Sequence, residues 1–454
     1  MTRVETLTIP SQIPHRAELP VQRGGRAVVQ SIIIKFGITL LNASTGVLTA
    51  RMLMPHGRGE LAAMILPPTL LSFVTTLGIP SSIIYVVRKI NSDIDKTIAT
   101  GLWMTLLISS ISTLAGIFLL PLWLGRQYSP AVIHWGQWYL STTPIMALGM
   151  TGRAILEAKG QFSRSNLLLL FTPGVTFTGL LLLFAAHRLT PFSAAACYTV
   201  GAIPALFLML LWVFPFMGSR VHFGVVAARQ LLGYGLRSFW IDLLGTMALQ
   251  VDQVLVINLL SPSAMGLYGV ILSLSRMFNL FQLSVVMVLF PKAAGRPTET
   301  VIELAEGAAR MSTIITGLCC GIAAIFGPVV LRLLYGAEYA ADARSLRLLL
   351  LEVTISGAVF ILSQAFMALG HPGVVAILQG IGLSVTIPTM LWLVPKLGVE
   401  GAAISLLVST VCRFVLVYLG FRFILKVRTP QLMPRVGDFT ILNDQVRKIF
   451  QRAI

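Results

Sequence analysis

Residues 28–53 read VVQSIIIKFGITLLNASTGVLTARML. As a helix rising about 1.5 Å per residue, the stretch crosses a hydrocarbon core about 30 Å thick. Its polar residues Ser31, Lys35, Thr39 and Asn42 follow at intervals of four, four and three, which places them on one helix face. A charge at mid-bilayer costs about 2.5–3.5 kcal/mol even on insertion scales, so such a face is expected to meet a cavity or a partner rather than lipid. The stretch therefore predicts a membrane helix lining a polar interior.

The rest of the chain extends this reading. Of 454 residues, 56% are hydrophobic and 11% charged, about half the charged share of a soluble protein. Further spans are predicted at 60–87, 98–121, 132–156, 165–187, 191–216, 233–260, 264–290, 311–334, 346–369, 373–395 and 400–425, twelve in all. Backbone polar groups in lipid must be satisfied within each segment, so the fold class is all-α and polytopic. The domains expected are a cytoplasmic tail (1–27), a six-helix bundle (28–217), a cytoplasmic linker (218–232), a second bundle (233–425) and a basic tail (426–454). In that tail Ile441, Leu442, Val446, Ile449, Phe450 and Ala453 would share one face of a helix, a pattern suited to the inner leaflet, with a frayed basic tail as the alternative.

A net charge of +17 raises the question of nucleic acid, but the basic residues stand at the ends of apolar segments, where they act as an orientation signal. With both termini cytoplasmic, 23 Lys and Arg fall inside and eight outside, while Lys35, Arg276 and Arg413 lie within spans. Trp123, Trp135, Trp138 and Trp392 fall near the outer ends, as an aromatic belt requires. Cys197, Cys319, Cys320 and Cys412 all lie inside spans without ligand or redox spacing, so neither metal nor cofactor is expected.

The chain also repeats itself. Leu53-Met54-Pro55-His56-Gly57-Arg58-Gly59 has a counterpart in Leu260-Ser261-Pro262-Ser263-Ala264-Met265-Gly266, with Pro and Gly in register at an offset of 207. Ala158-Lys159-Gly160 matches Ala368-Leu369-Gly370, and Tyr128 matches Tyr339. Two parallel six-helix halves would then enclose a central cavity. Span 7 carries its own polar stripe, Ser238, Asp242, Thr246, Gln250 and Gln253, and the offset sets Asp242 opposite Lys35.

The candidate cavity residues are Lys35, Asn42, Asp242, Gln250, Gln253, Arg276 and Arg413. Lys35 and Asp242 are expected near the cytoplasmic mouth as a gate pair, with snorkelling to the inner interface as the alternative for Lys35. Arg276 and Arg413 are expected deeper, where guanidinium matches phosphate or an acidic sugar with paired hydrogen bonds. Asp252 and Glu352 are candidates to carry a coupled proton or cation, or to balance an arginine. Arg51, Arg58 and Glu60 read as surface charges beside a loop.

These residues carry a resemblance. Asp252-Gln253-Val254 through Leu259-Leu260 to Met265-Gly266-Leu267-Tyr268, then Leu333-Leu334-Tyr335-Gly336-Ala337-Glu338-Tyr339, resemble the polysaccharide-export (Wzx-type) flippases of the multidrug/oligosaccharidyl-lipid/polysaccharide exporter superfamily. Ala365–Gly370 and Lys396–Ala403 extend the likeness over most of residues 25–425. The resemblance implies a V-shaped bundle in the bacterial inner membrane that works by alternating access. Its implied cargo is an undecaprenyl-diphosphate-linked oligosaccharide, with H+ or Na+ as candidate coupling ion and the polysaccharide polymerase machinery as candidate partner. The resemblance brings no catalytic residue. The competing reading is a cation-coupled multidrug antiporter of the same superfamily, whose members commonly carry acidic residues in the first half. A lipid-precursor flippase of peptidoglycan synthesis usually has fourteen spans. A membrane glycosyltransferase would need clustered carboxylates, and Asp93-x-Asp95 is a weak candidate.

Overall fold

The computed structural model describes residues 22–89, 93–217, 223–293 and 295–432, and among these every regular element is helical. The expected tail helix at 441–453 lies outside the described residues. The first helix begins at Gln22, ahead of the expected Val28. Residues 225–232, expected as linker, form the start of the helix Val225–Leu259, because VVAARQLL contains no helix breaker.

By length and composition, nine described stretches can cross a membrane, or ten if the bent pair Val225–Trp240 and Asp242–Leu259 is one span. The difference from twelve has two local causes. One counted stretch, Ile34–Lys89, holds two expected spans, separated by Met54 at φ 58 and ψ 172. The expected span 132–156 is split between Pro130–Leu140 and Thr143–Ala158 at Ser141 and Thr142.

Helix boundaries follow from the sequence. Ser129-Pro130, Thr190-Pro191 and Ser261-Pro262 each open a helix: the hydroxyl accepts a backbone N–H and proline takes the first turn, where its missing N–H costs nothing. Thr143–Ala158 and Ala343–Ala368 stop alike. Gly160 (φ 73) and Gly370 (φ 82) adopt the left-handed turn, and the next residue donates back, Gln161 to Leu156 and His371 to Phe366. These two stops were matched in the sequence at an offset of 210.

The two turnarounds pack on each other reciprocally. A Cβ on Gly59 would lie 1.8 Å from the Pro262 carbonyl oxygen, and one on Gly266 would lie 1.9 Å from the Pro55 carbonyl oxygen. Both residues of each contact are exchanged by the 207 offset. His56 and Ser263, themselves 207 apart, touch at 3.5 Å between Nδ1 and Oγ. A residue meeting its own repeat counterpart must sit on the axis relating the halves. Arg51 donates to the carbonyls of Leu333 and Leu334, and Tyr339 to that of Ala50, tying the same seam. Arg51 is therefore a structural tie and not the free surface charge its sequence position suggests.

At the far end of the helix that follows Pro55, the halves meet again. A Cβ on Gly78 would lie 2.2 Å from the Gly235 carbonyl oxygen. Large apolar side chains such as Phe118, Leu122, Leu182 and Phe423 stay exposed around the outside, where a membrane would cover them.

Candidate functional site

Between the two seams lies a cavity of about 1010 Å³. The first half contributes Thr39, Asn42, Arg58, Thr76 and Ser81 to its wall, and the second contributes Asp242, Arg276, Gln282, Glu352, Gln379 and Arg413. Asp242 stands where the helix beginning at Val225 bends by 42°, and accepts a hydrogen bond from Ser81 at 3.2 Å across the two halves.

The second half carries the densest polar cluster. Arg276 reaches Asp252 at 2.9 Å and donates to the Leu249 carbonyl. Asp252 is 1% exposed and also accepts from the buried Tyr268 hydroxyl at 2.6 Å. Asp252 is not among the cavity-lining residues and its carboxylate is in contact with the Arg276 guanidinium. Arg413 donates to Gln379 and to the Thr410 hydroxyl, which in turn donates to Glu352 at 2.7 Å. Two arginines are thus held by two carboxylates, one directly and one through a threonine. Gly382 makes room for Arg413, since a Cβ there would lie 2.6 Å from its Cδ.

Thr410→Val removes the bridge and leaves the Glu352 carboxylate without its hydroxyl donor, which costs roughly 1–3 kcal/mol for a group away from water. The thermal midpoint of the purified variant in detergent is expected to fall by several degrees, and an unchanged midpoint would show that solvent serves Glu352 equally well.

Of the residues expected from the sequence, Asn42, Asp242, Arg276, Glu352 and Arg413 line the cavity; Lys35, Gln250, Gln253 and Asp252 are not among its lining residues. Among the described residues no ion pair joins Lys35 to Asp242, so the structure does not form the expected gate pair; Asp242 is met by Ser81 instead. Arg58 corrects the sequence reading. Its place beside an expected loop suggested a surface charge, but the chain is already helical again after the break at Met54, and Arg58 on that first turn lines the cavity. It has no hydrogen bond or ion pair among the described residues. Arg153 was also missed, because a position within a turn of the span end was assigned to the loop. It is 31% exposed, pairs with Glu157 at 3.7 Å and lines a smaller chamber in the first half. No group of three metal-binding side chains occurs among the described residues.

The decisive comparison is with protein families: residues 48–343 match the model of the polysaccharide biosynthesis proteins. The chain belongs to that family. No curated protein matches the sequence. Among solved structures, the lipid II flippase MurJ in an inward closed conformation aligns with a TM-score of 0.75 at 14% identity, covering 91% of this chain and 89% of MurJ. An inward-facing multidrug resistance transporter of the MATE family gives 0.70 at 14% identity over 86% and 97% of the two chains. A MOP-superfamily transporter from Pyrococcus furiosus, described as having a binding pocket of reverse polarity, gives 0.60 at 17% identity over 88% and 94%. At these identities the likeness shows the fold, which is that of the MOP superfamily. Family and fold agree with the Wzx-type resemblance read from residues 252–268 and 333–339. This family member is a multi-pass membrane protein.

Proposed function

We propose that the chain is a flippase that carries undecaprenyl-diphosphate-linked oligosaccharide repeat units across the bacterial inner membrane, with both termini cytoplasmic. The observation that carries this reading is the charge of the cavity wall: Arg58, Arg276 and Arg413 stand against Asp242 and Glu352, and among the described residues Arg58 has no hydrogen bond or ion pair. A guanidinium without an ion pair facing a cavity of this size favours a dianionic headgroup, while the lipid tail stays in the bilayer. The lining is net cationic, the opposite of what an organic cation would select. Membership of a polysaccharide biosynthesis family supports a sugar cargo.

Movement would follow from rocking of one half on the other, which opens and closes the seam at His56 and Ser263. Glu352 is the candidate to carry a coupled H+ or Na+, since it lines the cavity, whereas Asp252 is committed to Arg276. The polysaccharide polymerase machinery would receive the delivered unit.

Proteoliposomes loaded with undecaprenyl-diphosphate-linked oligosaccharide test the reading, with and without a pH gradient. Arg58→Ala removes a cation without stranding a carboxylate, so it is expected to cut translocation about ten-fold at normal protein levels. Absence of lipid-sugar movement by the wild type, together with gradient-driven efflux of an organic cation, would make the chain a drug antiporter.

A further inference from the structure

Within the first half lies a second chamber of about 360 Å³, in the size range of small-molecule sites. Asn42 and Met150 line both it and the central cavity, so the two spaces share a wall. None of the cavity arginines reaches it; its only charged lining residue among the described residues is Arg153.

The hydrogen-bonding character of the chamber is legible from its hydroxyls. Thr45 donates to Asn42, Thr69 to Ile65, Ser72 to Thr69 and Thr176 to Thr172, in each case to a carbonyl of its own helix. A hydroxyl has one hydrogen and two lone pairs, so these four have used their donor and present acceptors, while Thr172, Tyr198 and the Asn42 amide add groups that can also donate. Opposite them, Arg153 Nε is buried and has no acceptor, a donor left open in a place where such groups are normally satisfied. Between apolar residues the lining thus sets acceptors beside donors, a mixture that neither a bare anion nor a bare cation matches. A neutral polyol satisfies both, giving its hydroxyl hydrogens to the threonines and serine and a ring or hydroxyl oxygen to Arg153.

We propose that this chamber receives a sugar ring of the cargo, so that the first half's chamber reads the sugar while Arg58, Arg276 and Arg413 in the central cavity hold the diphosphate. The assignment rests on the lipid-linked-sugar reading above and adds a place where sugar identity is selected.

Gly149 offers a clean probe. It lines the chamber and a Cβ there would touch nothing within 4 Å, so Gly149→Leu fills the space instead of distorting the helices. Thr69→Val keeps the shape and removes one acceptor. Binding to purified protein is measured with undecaprenyl diphosphate and with the same lipid carrying one N-acetylhexosamine. The wild type is expected to bind the sugar-bearing lipid about ten-fold more tightly. Gly149→Leu should abolish that increment and Thr69→Val should reduce it, both leaving affinity for the bare lipid intact. If Gly149→Leu does not fold, Thr69→Val decides alone. A full increment in every folded variant overturns the chamber assignment and leaves the flippase reading standing, as does a wild type that binds both lipids equally. A wild type that binds neither lipid removes the flippase reading and the chamber with it.

Discussion

Gly59→Ala and Gly266→Ala are expected to abolish transport while leaving the protein folded and in the membrane. Each methyl would be placed within 2 Å of a backbone carbonyl oxygen, 1.8 Å at Pro262 and 1.9 Å at Pro55, and a backbone carbonyl cannot swing aside as a side chain does. Overpacking of this kind costs about 1–3 kcal/mol or more. The penalty applies only when the seam is shut, because opening it separates the two backbones. The substitutions therefore displace the equilibrium toward the open seam by at least about ten-fold per 1.4 kcal/mol, and a transporter that cannot close one end does not complete its cycle. Cross-linking of a His56→Cys/Ser263→Cys pair reads the seam directly, since the native side chains touch at 3.5 Å. Cross-linking is expected to be efficient in the parent and lost with either alanine. Gly269→Ala, on the same helix as Gly266 but with open space at its Cβ, should change nothing. Undiminished cross-linking in Gly59→Ala would refute the account.

Arg276→Ala should be the most destabilising single change in the cavity. It strands Asp252, which is 1% exposed and then keeps only Tyr268 as donor, whereas Arg276 itself is 30% exposed. Breaking a buried pair by removing one partner costs about 3–5 kcal/mol, and water reaching Arg276 places this case toward the lower end. Arg276→Met combined with Asp252→Asn removes both charges and should recover most of the thermal stability. Translocation of lipid-linked sugar should stay lost, because the guanidinium is still absent. Recovery of transport along with stability would show that Arg276 serves the fold and not the cargo. A single Arg276→Ala variant as heat-stable as wild type would refute the burial argument itself.

The contrast between these two regions shows what the sequence made legible. The repeat was readable because its markers are backbone devices: Pro55 and Pro262 start helices, Gly59 and Gly266 allow close approach, and Gly160 and Gly370 end helices. Such residues act locally, so their spacing survives as a pattern. Arg276, Arg413 and Asp242 were readable as cavity residues because apolar spans make any interior charge conspicuous, and Glu352, read as a coupling or balancing carboxylate, lines the same cavity. Charges near span ends were not. Arg58 and Arg153 each lie within about a turn of a boundary, where the same residue is a loop cation or a cavity cation depending on how the chain folds back. Only the tertiary seam decides. Partnerships were equally hidden, since nothing in the order of residues says that Asp242 meets Ser81 across the halves and not Lys35.

The contact between His56 and Ser263 carries a consequence for ancestry. Two side chains at equivalent positions of a duplicated unit can face each other only where two copies once met as equals, so the seam has the form of a homodimer interface now enclosed in one polypeptide. In such a dimer every cavity residue would appear twice, and a lone cation would be impossible. Fusion released that constraint. Arg58 now faces a cavity whose repeat position holds Met265, and Lys35 has Asp242 as its counterpart. The symmetric seam is what opens and closes, and the broken symmetry leaves the first half free to choose its sugar beside a cavity whose cations come from both halves.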